Sequence, residues 1–201
     1  MEIFTLFHKG GMVMYPILLA SVIALTIGLE RFAYYRKERL KLADFSVKFN
    51  GYLQKGKQEQ AENLCRKAGA PGEVLLTALA EEQYGNREEV VMAAAKRKAI
   101  ELRQYLEYLS VIVTMAPLLG LLGTVTGMIQ SFSVLNVADG EPFAITGGVG
   151  EALIATATGL LVAILALCLY SYLSHRANAI IADVEYVSIM YVAAGGKDDA
   201  N

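Results

Sequence analysis

Charged residues are scarce in this sequence. Only 19% of its 201 residues are Asp, Glu, Lys or Arg, whereas 55% are hydrophobic. Since about a quarter of the residues in an ordinary soluble domain are charged, this composition argues against a soluble globular protein. Cysteine is also rare, and Cys65 and Cys168 lie in unlike surroundings, one polar and one apolar. They therefore predict no disulfide framework.

The motifs of soluble enzymes are missing as well. No glycine-rich loop is followed by Lys and Ser/Thr, no Cys/His pair has metal-site spacing, and no nucleophile elbow occurs. His8 and His175 are isolated histidines. Basic and acidic residues alternate without stacking aromatics, which does not indicate a nucleic-acid surface. The sequence thus predicts no enzyme activity, no metal site, no cofactor and no nucleic-acid partner.

Long uncharged blocks are what the sequence has instead, at residues 12–29, 108–136 and 152–174. About 20 helical residues at ~1.5 Å each match a hydrocarbon core of about 30 Å. The first block has no basic cluster before it and no small-residue cleavage site after it. An uncleaved anchor is therefore favoured over a secretory signal. The blocks predict an all-α integral membrane protein with three transmembrane helices.

The distribution of positive charge predicts the orientation. Of the 18 Lys and Arg residues, 15 lie between Arg31 and Arg103. The positive-inside rule therefore places this segment in the cytoplasm and the N-terminus outside. The predicted segments are a short periplasmic N-terminus (1–11), a transmembrane helix (12–30), a cytoplasmic helical loop (31–104), a second transmembrane helix (105–135), a periplasmic loop (136–148), a third transmembrane helix (149–174), and a cytoplasmic C-terminal helix and tail (175–201).

Apolar residues at helical spacing predict helices in the cytoplasmic parts too. Two patterns cover residues 42–53 and 58–67, and a third follows the break at residues 69–72. From Arg87 no helix breaker occurs before Pro117, which predicts one long helix that enters the membrane and is kinked at Pro117. Its charged residues, Lys98 among them, are expected on a solvated face. Residues 180–191 give a further amphipathic helix in the tail.

Small residues form one stripe along each of the second and third transmembrane helices, because residues three and four apart share a helix face. The stripe of the second helix consists of Gly120, Gly123, Thr124, Gly127 and Ser131, with Pro117 near the same face. The stripe of the third helix consists of Ala152, Ala155, Thr156, Gly159, Ala163 and Ala166. Thr126 and Thr158 are expected on other faces.

These stripes have two interpretations. Small residues let membrane helices approach closely, and a threonine can satisfy its hydroxyl on a carbonyl three or four residues earlier. A smooth stripe can equally face a hydrated path or a partner helix, where two hydroxyls would suit a carboxylate or water. Thr124 and Thr156 are expected at comparable depth, in the periplasmic half of the membrane.

Titratable residues are almost missing from these two helices. Residues 108–136 and 152–174 contain no Asp, Glu, Lys, Arg or His, and Glu151 stands just before the second of these blocks. Proton transfer across hydrocarbon requires a titratable group near mid-membrane. If this chain conducts ions, the main titratable carrier must therefore come from another chain.

Three stretches carry a family resemblance: APLLGLLGTVTGMIQSF at 116–132, GVGEALIATATGLLVAILAL at 148–167, and GGMVMYPILLASVIALTIGLERF at 10–32. They resemble the MotA/TolQ/ExbB proton-channel family, and its ExbB and TolQ branch most of all, since MotA proteins have four spans. The resemblance implies a homopentamer in the inner membrane of Gram-negative bacteria. Its second and third spans would surround a pore that holds the single helices of two ExbD- or TolR-type subunits.

The resemblance also implies roles for particular residues. Each partner helix would carry one essential aspartate, which Thr124 and Thr156 face, while Glu151 is the acidic residue at the start of the third span. The flow of H⁺, or of Na⁺ as the alternative, would drive a TonB- or TolA-like protein and so energise outer-membrane uptake or envelope maintenance. The small residues expected to line the pore or pack helices are Gly120, Gly123, Gly127, Ser131, Ala152, Ala155, Gly159 and Ala163.

Several alternatives stay open at this point. An ExbB-like and a TolQ-like subunit differ in the partner that occupies the pore, and a passive scaffold would use the stripes for packing only. A small-solute transporter is disfavoured, since neither an internal repeat nor a midplane binding charge occurs. The hydroxyls of Thr126 and Thr158 could tune the ion that is carried.

Overall fold

The computed structural model of the protein describes residues 10–38, 42–81, 86–135 and 142–195. These ranges contain helices and no strand, which confirms the all-α prediction. The helices are α1 (Met14–Lys37), α2 (Leu42–Gln54), α3 (Gln58–Cys65), α4 (Gly69–Glu81), α5 (Arg87–Arg103), α6 (Leu106–Leu135) and α7 (Pro142–Gly195). Three stretches are long and apolar enough to cross a membrane, as predicted: Met14–Lys37, Arg87–Ser133 and Gly147–Ala194.

The chain divides into two compact units. The apolar unit comprises Met1–Leu29 and Leu106–Tyr172, and the polar unit comprises Glu30–Tyr105 and Leu173–Asn201. Helices α1 and α7 each contribute one part to the apolar unit and another to the polar unit.

The apolar unit has its small residues inside and its large apolar residues outside. Ala116 and Ala155 are fully buried, whereas Leu118 and Leu153 are each 63% exposed. A soluble protein buries its leucines first, because water penalises their exposure. In lipid that penalty vanishes, and close contact between small residues holds helices together instead. The arrangement is therefore that of a protein whose outer surface faces hydrocarbon.

A two-residue turn, Gln104 and Tyr105, separates α5 from α6 within the long helical stretch Arg87–Ser133, which agrees with the prediction of one long helix from Arg87. The Gln104 amide bonds the carbonyl of Glu101, three residues earlier, although Gln104 keeps helical dihedral angles. The buried guanidinium of Arg31 lies over the ring of Tyr105, with Arg31 Cζ 4.3 Å from the ring centre. This tertiary contact coincides with the interruption, and no breaker in the sequence announces it. Further on, α6 continues through Pro117 to Leu135. A kink there stays a prediction.

Helix α7 begins earlier and ends later than the sequence suggests. It starts at Pro142, so that residues 142–148, predicted as loop, are helical. Proline suits a first helical position, where its missing N–H costs nothing. The helix then runs to Gly195 without a break, and the tail helix expected at residues 180–191 is a continuation of the third long helix. The positions of the membrane boundaries stay predictions.

The core of the polar unit forms around the C-terminal part of α7. The apolar face of this part of α7 is buried, as the helical spacing predicts. The residues of this face are Ile180, Ile181, Val184, Val187 and Tyr191. Tyr191 lies 6.4 Å from the ring of Phe49, which stacks on Phe45 at 5.6 Å. Arg87 covers the Tyr191 ring at 4.8 Å. These contacts join α2, α5 and α7. The helices predicted at 42–53 and 58–67 are confirmed as α2 and α3.

Lys98 is a buried cation in the polar unit, which corrects its expected place on a solvated face. Its side chain is only 8% exposed. The ammonium group bonds the Glu73 carboxylate and lies 3.2 Å from both Glu101 Oε2 and Tyr34 Oη. Burial disfavours the charged form, but the bonds to Glu73 and Tyr34 outweigh it and raise the pKa of Lys98 above its ordinary value. This group of four links α1, α4 and α5.

Replacing Lys98 with alanine is expected to destabilise α4 and α5. Breaking a buried ion pair typically costs several kcal/mol, and we expect about 2 kcal/mol here because both glutamates are partly exposed. Amide exchange in these helices, measured by mass spectrometry on the detergent-solubilised protein, should accelerate roughly thirtyfold. Lys96→Ala, at an exposed position of the same helix, is the control. Equal exchange in the two variants would contradict a stabilising role for Lys98.

Candidate functional site

Helices α6 and α7 pack against each other through their small-residue stripes. A Cβ added to Gly123 would lie 2.5 Å from the Cβ of Ala155, and one added to Gly127 would lie 3.0 Å from that of Ala152. A Cβ on Gly159 would lie 2.6 Å from the Ala116 carbonyl. Residue numbers rise along α6 as they fall along α7, so the helices run antiparallel, as expected for consecutive spans.

The glycine, alanine and serine residues of the stripes are buried in this contact. The most deeply buried among the non-glycine residues are Ser131, Ala152, Ala155 and Ala166, each at most 3% exposed, and Ala163 follows at 7%. Gly120, Gly123, Gly127 and Gly159 are buried as well. The structure therefore shows that the stripes pack α6 against α7. Their use as a pore lining stays a prediction.

The side chain of Thr156 joins the two helices. Its hydroxyl donates a hydrogen bond of 2.9 Å to the carbonyl of Gly120. A Cβ on Gly120 would lie 3.1 Å from the Thr156 Cα, tighter than nearly all real contacts. The absence of a side chain at Gly120 thus brings the carbonyl within reach of the hydroxyl. The bond lies between neighbouring spans, where the sequence allowed either a local or an interhelical partner.

Thr124 satisfies its hydroxyl within its own helix, at the Leu121 carbonyl 2.6 Å away. A carbonyl oxygen can only accept, so the hydroxyl protons of Thr124 and Thr156 are both committed as donors. Each threonine oxygen keeps capacity to accept a hydrogen bond. Thr126 and Thr158 also donate to carbonyls of their own helices, at distances from 2.8 to 3.1 Å.

Thr124 and Thr156 lie at the same edge of the contact. At about 100° per residue, Thr124 is about 40° from Gly120, and Thr156 is about 40° from Ala152 in the same rotational sense. In two antiparallel helices that face each other, the same sense leads to the same side of the pair. Thr156 is level with Gly120, so Thr124 stands one turn further along, about 6 Å away in the axial direction.

Glu151 lies in the third turn of α7 and not at its beginning, because the helix starts at Pro142. Its side chain is half-buried, and its carboxylate lies against Gly11, where an added Cβ would overlap Oε1. Gly11 lies three residues before the first residue of α1, Met14, and has a φ of +72°. The structure therefore brings the only acid beside the third uncharged block to the start of the first helix.

Three residues of this region, Ala116, Gly148 and Gly11, are not among the site residues that the sequence predicts. Ala116 and Gly148 extend the two stripes by one turn, and a Cβ on Gly148 would overlap the hydroxyl of Ser131. Their i−4 spacing from Gly120 and Ala152 is the signal that could have found them. Gly148 belongs to the segment 136–148, which the sequence predicts as a loop, where helical spacing is not expected. Gly11 gave no periodic signal, since it precedes its helix.

Residues 59–186, more than half of the chain and including nearly all of this contact, match the sequence pattern of the MotA/TolQ/ExbB proton channel family. The chain belongs to this family. The membership agrees with the resemblance seen in the small-residue motifs, and it makes the chain a membrane protein of the ExbB/TolQ proton-channel type.

Individual relatives of this MotA/TolQ/ExbB family member come from diverse organisms. A Synechocystis protein named biopolymer transport protein ExbB-like 1 is 36% identical over 83% of this chain and 68% of its own length. A biopolymer transport protein ExbB homolog of Methanothermobacter thermautotrophicus is 31% identical over 92% of this chain and 67% of its own length. The Tol-Pal system protein TolQ of Haemophilus influenzae is 36% identical over 52% of this chain and 48% of its own length.

Adding one methyl group at Gly123 should weaken the contact between α6 and α7. Gly123→Ala places a carbon 2.5 Å from the Ala155 Cβ, and such overpacking typically costs about 1–3 kcal/mol. Gly150→Ala is the matched control, because a Cβ at that helical position meets nothing within 4 Å. Unfolding in mixed detergent and dodecyl sulfate measures both. Equal stability of the two variants would refute the close approach.

Removing the Thr156 hydroxyl should lower the stability of the protein less than Gly123→Ala does. Thr156→Val is expected to lose about 0.5–1.5 kcal/mol of unfolding free energy, the range for hydrogen bonds between membrane helices. Thr156→Ser should retain most of the unfolding free energy that Thr156→Val loses, because serine keeps the hydroxyl. Thr158→Val is the control, since the bond that Thr158 makes is to Ile154 in its own helix. A loss for Thr158→Val as large as for Thr156→Val would argue against an interhelical bond in the folded protein.

Proposed function

We propose that this chain is the channel-forming subunit of an inner-membrane motor that uses the proton motive force to energise a TonB-type outer-membrane uptake system. In this proposal five copies surround a pore, their N-termini periplasmic and their C-termini cytoplasmic. The pore holds single-span ExbD-like helices, and motion is passed on to a TonB-like protein. The observation that carries the proposal is the pair of threonine oxygens, Thr124 and Thr156, at one edge of the α6–α7 contact.

The committed hydroxyl protons decide which form of a partner carboxyl these threonines would bind. Because Thr124 and Thr156 donate to carbonyls of the chain itself, their free capacity is to accept. An ionised carboxylate offers only acceptors, whereas a protonated carboxylic acid has one O–H to donate. The threonine edge therefore favours the neutral acid, the form that also costs least to move past an apolar wall.

This selectivity suggests a sequence of steps for the motor. A proton from the periplasm neutralises the partner aspartate, the threonine oxygens stabilise the neutral form as it passes, and release of the proton toward the cytoplasm restores the charge. Glu151 would tune the potential at the point of proton entry. The same acceptor oxygens could ligate Na⁺, which makes Na⁺ the alternative ion. Because residues 108–136 and 152–174 contain no Asp, Glu, Lys, Arg or His, the carrier belongs to the partner chain.

Two other candidate functions have specific support. The similarity to the Haemophilus TolQ protein over about half of this chain favours a TolQ-like subunit with a TolR-like partner and a TolA-like protein. The tight packing of the stripes favours a passive scaffold, in which the threonines would only join helices. The first alternative uses the same site with another partner, and the second uses no ion path at all.

Substitutions at the two threonines separate an ion path from a scaffold. In cells that carry the whole system, Thr124→Val and Thr156→Val should each lower proton-motive-force-dependent uptake by at least about tenfold, the effect of ~1.4 kcal/mol. Thr→Ser at either position should retain uptake. Assembly is followed in parallel by native electrophoresis of the solubilised complex.

The scaffold predicts a different outcome for the same variants. It requires that uptake falls only where assembly falls, most severely for Gly123→Val, and that fully assembled threonine variants work normally. Normal uptake in both valine variants would therefore disprove the assigned roles. Loss of uptake in an assembled complex would exclude the scaffold.

A further inference from the structure

The chain that leads into α1 lies against the carboxylate of Glu151. Gly11 has a φ of +72°, a conformation that glycine adopts freely and other residues rarely. The Glu151 side chain occupies the space that a Cβ on Gly11 would need. The position therefore carries two separate requirements for glycine, one from the backbone and one from the neighbouring carboxylate.

The beginning of α1 is fixed against the α6–α7 pair by further contacts. Val13, Met14 and Ile17 are buried, at 9%, 5% and 1% exposure. Val13 lies beside the stripe of α6, since a Cβ added to Gly123 would be 3.8 Å from the Cβ of Val13. Val13, two residues after Gly11, is thus buried beside the small-residue contact.

Helix α1 follows α7 in parallel over its length within the apolar unit. Gly11 meets Glu151 at one end, and Gly28 meets Leu169 at the other, where a Cβ would lie 3.1 Å from a leucine methyl group. The two contacts are 17 residues apart in the first segment and 18 residues apart in α7. Because these separations are nearly equal, the two segments stay in register. The contact between Gly11 and Glu151 is therefore a consequence of how α1 docks.

We infer that Gly11 is a positioning residue for Glu151: it leaves open the one place beside the start of α1 in which the carboxylate stands. The role of Glu151 itself rests on the proposed function. With a side chain at position 11, either the carboxylate must turn away from α1 or the start of α1 must shift together with Val13. The first span then takes part in the ion path by fixing the place of an acid that belongs to the third.

Chemical labelling of Glu151 tests where its carboxylate stands. The whole complex in native membranes is treated with a hydrophobic carbodiimide, which reacts with accessible protonated carboxyl groups, and the modified residues are quantified by mass spectrometry. Gly11→Ala should raise labelling of Glu151 by about tenfold, the change that accompanies ~1.4 kcal/mol. Labelling of Glu107 in the same samples should stay constant. Unchanged or lowered labelling of Glu151 would overturn the inference.

Gly56→Ala is the matched control for backbone strain. Gly56 has a φ of +62°, and a Cβ there would meet nothing within 4 Å, so it shares the conformational requirement of Gly11 without the contact. It should leave Glu151 labelling as in the natural chain. A rise as large as that of Gly11→Ala would assign the effect to general loosening and would also overturn the inference.

A second variant covers the case in which Gly11→Ala does not assemble. Glu151→Ala empties the space beside position 11 but leaves the backbone strain there, so the double variant Gly11→Ala/Glu151→Ala should recover part of the assembly that Gly11→Ala loses. Failure to recover would show that the two positions are not coupled. Uptake with Glu151→Gln tests the proposed function separately: normal uptake would remove the role of Glu151, whereas the labelling result reports only the position of its carboxylate.

Discussion

The close contact between α6 and α7 is the interaction on which the rest of the apolar unit depends. In hydrocarbon, apolar side chains gain nothing by leaving lipid for protein, so two helices must be held by dispersion at short range and by hydrogen bonds. Both require that backbones come near each other. Glycines at positions 120, 123, 127 and 159 make that possible, and the bond from Thr156 to the Gly120 carbonyl exists because no side chain stands between them.

The same contact gives the candidate site its chemistry. A threonine whose proton is used by a carbonyl presents an oxygen that can only accept, and two such oxygens stand at one edge of the helix pair. Packing and the proposed ion recognition are therefore not competing uses of the stripes. The buried glycines and alanines hold the helices together, and the threonines at the margin of the contact are the groups left available to a partner. Helix α1 packs beside this pair, and the residues that lead into it lie against Glu151.

Much of this could be predicted from the sequence, because the relevant signals are periodic. The three apolar stretches, the two stripes, and the helices α2 and α3 follow from spacing alone. The partner of a hydroxyl does not: Thr124 and Thr156 occupy equivalent places in their stripes, yet one bonds its own helix and the other crosses to a neighbour, according to which backbone approaches. Lys98 is a similar case, since its neighbours in sequence are those of a solvated helix and only the tertiary fold buries it. The turn at residues 104–105 coincides with the contact between Arg31 and Tyr105, which spacing does not encode either.

The central claim is that this chain supplies hydrogen-bond acceptors for a proton carrier that belongs to another chain. Proton flux into liposomes under an imposed proton gradient tests it most directly, with the purified chain reconstituted alone and together with its single-span partner. We expect that the chain alone conducts no more than empty liposomes, that the complex conducts, and that conduction is lost when the membrane aspartate of the partner is replaced by asparagine. Flux through the chain alone at the level of the complex would show that the proton carrier does not have to come from another chain.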